Sequence, residues 1–142
     1  MRRAASAILL AMGHVSCTLA GPGETPLPRV APGQSVSLKV GEAAQSADGS
    51  LRFGFEAVTT DSRCPRNVQC VWAGNAVVRI WLQRGSAARE VRELHSSTGS
   101  TREGPDTGLR LERLDPVPVA GQELPPRNYV ATLVLSPPPA ER

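Results

Sequence analysis

The 142-residue sequence contains few aromatic residues and few of the side chains on which many enzymes depend. It has two tryptophans, one tyrosine, two phenylalanines and two histidines, and only His95 lies beyond the N-terminal region. A zinc centre needs three or four protein ligands, which one histidine and two cysteines supply poorly. The chain also lacks Gly-x-Ser-x-Gly, phosphate-loop and EF-hand patterns. We therefore expect no cofactor, no metal and no enzymatic activity.

Excess positive charge is also absent once the N-terminus is set aside. Two of the 16 basic residues, Arg2 and Arg3, lie in a predicted leader, which leaves 14 basic against 13 acidic residues. This near-neutral balance removes the attraction on which nucleic-acid binding depends. No apolar run reaches the roughly 20 residues of a membrane-spanning helix. We expect neither a nucleic-acid partner nor a membrane-spanning segment.

Residues 1–20 have the organisation of a bacterial signal peptide. Two arginines precede a run of small and apolar residues, as signal peptides require. Val15-Ser16-Cys17 resembles the end of a lipobox, although His14 stands where an aliphatic residue is usual. We predict export with lipidation at Cys17, or alternatively a cut after Ala20 that removes this cysteine. The protein is then expected in the periplasm or anchored to the outer membrane, with secretion as the alternative.

The rest of the chain predicts one all-β domain. With 13 prolines and 13 glycines it is rich in helix breakers. Residues 21–33 are predicted to form a proline-rich tether and 137–142 a proline-rich tail. Between them, about six to seven short strands at 34–136 favour an antiparallel β-sandwich or a partly open barrel.

The strands are predicted where apolar and polar residues alternate with a period of two. Asp48-Gly49 suits a tight turn, so the first two strands are expected to pair as an antiparallel hairpin. A polar loop is expected at 96–108. The expected strands are 35–40, 51–58, 76–82, 109–112 and a central 129–135, with 88–94 as an edge strand or a short helix.

The connection between the 51–58 and 76–82 strands carries the most distinctive motif. It consists of Asp61-Ser62-Arg63-Cys64-Pro65, four further residues, and Cys70-Val71-Trp72-Ala73-Gly74. In an exported protein, Cys64 and Cys70 are expected to form a disulfide that closes a small loop. Asp61 would then accept hydrogen bonds from the loop backbone, and Arg63 would pair with a nearby acid.

Functional interpretations of the motif compete with this structural one. Thiol-disulfide exchange usually relies on Cys-x-x-Cys at a helix N-terminus, whereas Cys64 and Cys70 are further apart in a strand connection. Trp72 is expected either in the core or, with Asp61 and Arg63, in a binding site, because tryptophan is favoured at binding hot spots.

The whole block from Asp61 to Gly74 resembles a signature of small, uncharacterised bacterial exported proteins and lipoproteins. The resemblance covers the motif and its flanking strands, and it implies an envelope location without an activity, cofactor or partner. We therefore predict a non-catalytic binding or structural module of the cell envelope whose partner is an envelope protein or a small ligand. The alternative is a small periplasmic enzyme or thiol-redox protein that uses Cys64 and Cys70.

Overall fold

The computed structural model describes residues 25–96 and 108–137, which form eight strands and no α-helix. The predicted signal peptide, Cys17, most of the polar loop and nearly all of the tail lie outside the described residues. A single 3-10 turn spans Pro126–Asn128. The strands are β1 (Arg29–Val30), β2 (Ser35–Lys39), β3 (Ala43–Ser46), β4 (Leu51–Asp61), β5 (Ala76–Arg84), β6 (Glu90–His95), β7 (Leu109–Asp115) and β8 (Val130–Leu135).

The strands form two sheets that share one core. The larger sheet has the order β1-β3-β4-β5-β6 and the smaller one β2-β8-β7. Every pair is antiparallel except β1 with β3. The all-β prediction is confirmed, and because the sheets do not close on each other, the architecture is the sandwich rather than the barrel.

Alternation of apolar residues builds the core as predicted. On β5, Trp81 points away from the core and is partly covered, in agreement with the sequence pattern. The last strand, β8, lies between β2 and β7 and buries residues on both faces, as its continuous apolar run predicts. The largest fully buried side chains are Phe53, Phe55, Leu38, Ile80, Leu94, Leu109, Leu133 and Val78.

The predicted pairing of the first two strands is wrong. The turn at Asp48-Gly49 is present, and Gly49 has φ of 74°, but it joins β3 to β4. The strand at Ser35–Lys39 instead pairs with β8 in the other sheet. A turn after β2, in which the Glu42 carboxylate accepts a hydrogen bond from the Lys39 N–H at 2.8 Å, redirects the chain. Strand β3 reads Ala-Ala-Gln-Ser and therefore gives no apolar signal.

The tether prediction also needs correction over its described part. Val30 is only 2% exposed and belongs to the core, and Arg29 pairs with Gln45 of β3. A strand of two residues is too short to show an alternating pattern, so no sequence pattern predicts β1. The ambiguous segment 88–94 is resolved as the edge strand β6, which pairs with β5.

A glycine and a tryptophan fit each other on the outer face of the larger sheet. Gly54 of β4 lies opposite Trp81 of β5, and a Cβ at position 54 would overlap the indole ring. The Arg89 guanidinium lies over this ring, 4.0 Å from its centroid. The absent side chain of Gly54 is therefore what lets Trp81 lie flat on the sheet.

We expect Gly54→Ala to lower the free energy of unfolding by about 1 to 3 kcal/mol, because a methyl group must displace the indole. Urea unfolding of this variant, of Trp81→Ala and of the double variant forms a double-mutant cycle. The cost of Gly54→Ala should shrink when Trp81 is absent. An equal cost in both backgrounds would show that the indole is not the cause.

Candidate functional site

The connection between β4 and β5 begins as a continuation of their hydrogen-bond ladder. The Ser62 N–H donates to the Asn75 carbonyl at 2.8 Å, and the Cys64 N–H donates to the Ala73 carbonyl at 3.0 Å. The Ser62 hydroxyl adds a bond to the Asn75 carbonyl at 2.9 Å. These bonds form a narrow stem, residues 62–64 and 73–75, that carries the rest of the motif.

Gly74, the last residue of the motif, is required by the stem. Its φ is +69°, a conformation that residues with a Cβ rarely adopt. In addition, a Cβ at this position would overlap the Ser62 carbonyl oxygen. The two arms of the stem can therefore approach closely only with glycine at this position.

Above the stem, Cys64 and Cys70 form the predicted disulfide, with their Cα atoms 5.9 Å apart. The bond closes a ring of residues 64–70 that also contacts the segment 116–124 after β7. The Ala120 N–H donates to the Asn67 side-chain carbonyl at 2.8 Å, and the Arg66 N–H donates to the Pro118 carbonyl at 3.1 Å. The ring is thus fixed both internally and against the strand connection of the other sheet.

Below the ring, Arg63 and Asp61 form a nearly buried ion pair. The guanidinium donates to both carboxylate oxygens of Asp61, from Nε at 2.8 Å and from Nη2 at 2.7 Å. It also donates to the carbonyls of Leu114 at 2.6 Å and Pro116 at 2.9 Å, at the end of β7. The side chains of Arg63 and Asp61 are only 14% and 8% exposed. The Arg63 N–H also donates to Asp61 Oδ1 at 3.2 Å, so Asp61 accepts a bond from the loop backbone and Arg63 pairs with a nearby acid, as predicted. Both side chains lie beneath the surface instead of on it.

Tyr129 completes this cluster. Its hydroxyl donates to Asp61 Oδ2 at 2.9 Å across 68 positions of sequence. The sequence pattern predicted position 129 only as the start of a central strand, so it did not indicate this contact. Asp61, Arg63 and Tyr129 are called the clamp below.

The clamp shifts the ionisation of its members. Burial alone would raise the pKa of the Asp61 carboxyl, but hydrogen bonds from Arg63 and Tyr129 and the charge of Arg63 together hold it below the ordinary 3.8. Burial, the hydrogen bond to Asp61 and its negative charge raise the pKa of Tyr129 to about 12. At neutral pH the clamp thus holds an ionised carboxylate, an arginine cation and a neutral phenol.

The surface of the ring end is apolar. Val71 is 90% exposed, Trp72 is 83% exposed and Val68 is 46% exposed. We call these three residues the tip. The interpretation of Trp72 as a core residue is wrong, which leaves surface contact as the alternative. Adjacent apolar residues in an otherwise polar connection were the sequence signal for the tip.

The surroundings of the disulfide differ from those of the reactive cysteine pairs that carry out thiol exchange. Cys64 is partly buried and Cys70 is exposed, and neither stands at the start of a helix. A helix N-terminus is the usual device that lowers a thiol pKa. In the two described ranges, no group of three or more histidine, cysteine or acidic side chains is placed to hold a metal ion.

A cavity of about 360 Å³ lies at the opposite end of the sandwich, beside the β3–β4 turn and Leu135. Its acidic residue, Asp48, already accepts hydrogen bonds from the hydroxyls of Ser46 and Ser50. These bonds, that from Ser46 foremost, lower the pKa of Asp48 to about 2. The motif residues do not reach this cavity, so the structure separates it from the ring.

Comparison with known protein families, curated proteins and solved structures finds no match to this chain. None of the described segments is a helix long and apolar enough to cross a membrane. The disulfide is compatible with an oxidising, exported location.

We expect the Cys64→Ala, Cys70→Ala double variant to be less stable by about 2 kcal/mol, because the bond no longer restricts a short loop in the unfolded chain. For a domain of this size the melting temperature should fall by roughly 5 to 10 °C. Thermal unfolding measures this, and wild type treated with reductant should behave like the variant. A variant as stable as the oxidised wild type would exclude a stabilising role.

We expect Asp61→Asn to lower the free energy of unfolding at pH 7 by about 2 kcal/mol or more, because Arg63 loses its counter-charge while nearly buried. The pKa of Asp61 is lower in the folded state, so its contribution is complete above the ordinary value of 3.8. The contribution is lost as the pH falls through the lower folded pKa.

Urea unfolding of wild type and Asp61→Asn between pH 7 and pH 2.5 tests this. The difference in stability should be constant above about pH 5 and should shrink below about pH 4. Asp48 also loses its charge in acid, but it is present in both proteins and cancels in the difference. A difference that does not change with pH would refute the proposed role of the Asp61 charge.

Proposed function

We propose that this protein is an exported, non-catalytic binding module of the bacterial cell envelope, and that the tip is its contact surface. The observation that carries the proposal is the near-complete exposure of Val71 and Trp72 on a loop that is otherwise fixed. Adjacent apolar side chains that are exposed together on an ordered loop are a feature of interaction surfaces.

The way the tip is held supports binding. The stem, the disulfide and the Asn67 contacts restrict the backbone on either side of Val71 and Trp72. Because the loop is already ordered, little conformational entropy is lost when the tip meets a partner. Tryptophan is also among the residues that contribute most to binding interfaces.

The location is supported by sequence and by the disulfide. The proposal includes the signal peptide at 1–20 and lipidation at Cys17, which would place the domain at a membrane surface. A disulfide between Cys64 and Cys70 persists in oxidising compartments such as the periplasm. Asp61 and Arg63 support the tip from below and do not themselves contact the partner.

The test is photo-crosslinking in bacteria that express the full chain, with a photoreactive amino acid at position 72 or at position 91. Val91 is the matched control, because it is 50% exposed but lies on the edge strand β6. We expect envelope-associated adducts from position 72 and none from position 91. Labelled fatty acid given to the same cells should mark the wild-type chain and not Cys17→Ser.

Equal adduct formation at the two positions, or none at position 72 in a correctly exported protein, would contradict the binding role of the tip. Recovery of the full-length chain from the cytoplasm would contradict export.

A further inference from the structure

Exposed apolar residues are concentrated at one end of the sandwich. Of the five large apolar side chains exposed in the described ranges, three form the tip. A fourth, Val117, is 40% exposed on the segment 116–124, which the ring contacts directly. Only Val91 lies elsewhere. Four of the five therefore lie at the ring end, three on the tip and one on the strand connection that contacts the ring.

The ring itself carries a positive charge and no negative one. No acidic residue occurs between Asp61 and Glu90. Arg66 is exposed in the ring and forms no ion pair with a described residue, although Glu123 lines the same shallow groove. At the same end of the sandwich, Arg127 lies in the turn before Tyr129, and Asp115 is paired with Arg113 at the end of β7. A partner for this end would thus combine an apolar phase with negative charge.

The shape of the region favours a deformable partner. Its exposed apolar surface is concentrated on two adjacent residues, Val71 and Trp72, which are 90% and 83% exposed and therefore project into the solvent. A deformable partner can surround side chains that project in this way. A bilayer can do so, and tryptophan is enriched at the level of lipid headgroups.

We propose that the tip inserts into the surface of an anionic lipid bilayer, with Trp72 and Val71 at the headgroup level and Arg66 against the lipid charge. This rests on the proposed function, because it names the partner of the same surface. Two interactions contribute to this contact. The apolar side chains of the tip insert into the bilayer, and the Arg66 cation is attracted to the charge of the lipid.

The experiment uses the full chain with its disulfide formed and Trp81→Phe, which leaves Trp72 as the only tryptophan. Vesicles of phosphatidylcholine alone, or with phosphatidylglycerol, are added. On anionic vesicles we expect Trp72 emission to shift to shorter wavelength, with loss of quenching by iodide and gain of quenching by brominated lipid. The matched protein, Trp72→Phe with Trp81 retained, should show none of these changes.

The charge is tested by Arg66→Gln, which should weaken partition into anionic vesicles roughly fivefold and leave neutral vesicles unaffected. Thermal unfolding of each variant confirms that the fold is kept, since these side chains lie outside the core.

If Trp72 stays accessible to iodide on anionic vesicles while position 72 crosslinks to a protein in cells, the lipid proposal is wrong and the binding function stands. If position 72 forms neither adduct nor lipid contact, both are wrong. Equal binding to neutral and anionic vesicles would overturn the assignment of an anionic surface.

Discussion

The ion pair between Arg63 and Asp61 connects the two sheets at the end that carries the motif. A guanidinium has five donors in one plane, which is enough to bind both oxygens of a carboxylate and two further carbonyls. Here the carboxylate ends β4 in the larger sheet, and the carbonyls of Leu114 and Pro116 end β7 in the smaller one. Tyr129 binds the same carboxylate from the start of β8. The direction in which the ring leaves the sandwich depends on this cluster.

The loop that carries the tip is ordered although its apolar residues do not pack against the core. The tip turns these residues to the solvent. Its order comes instead from hydrogen bonds and a covalent bond: the stem, the disulfide and the contacts of the ring with the segment 116–124. Folding and binding therefore use different side chains. The core of Phe53, Phe55 and Leu133 stabilises the domain, and Val71 and Trp72 remain available to a partner.

Part of the site followed from the sequence because its contacts are local. Cys64 and Cys70 are six positions apart, and their spacing and compartment were enough to predict the disulfide. The sequence predicted only that Arg63 pairs with a nearby acid, and the structure shows that this acid is Asp61, two positions away. Gly74 was visible as a motif residue, but its reason, the nearby Ser62 carbonyl, requires the stem. Tyr129 and Asn67 bind across more than fifty positions, and no sequence pattern reports such distances.

The sequence by itself determined the class of fold and the position of most strands, since alternation with a period of two is a local consequence of the extended backbone. It also determined which residues of β5 face the core and that β8 is apolar on both faces. The tertiary structure decided how the strands pair. Strand β2 pairs with β8, and the short strands β1 and β3 belong to the larger sheet. Local sequence patterns do not report either pairing. The tertiary structure also decided that Trp72 is exposed and Arg63 nearly buried. The burial of a residue in a strand connection depends on what the other sheet places beside it, and here that is the end of β7.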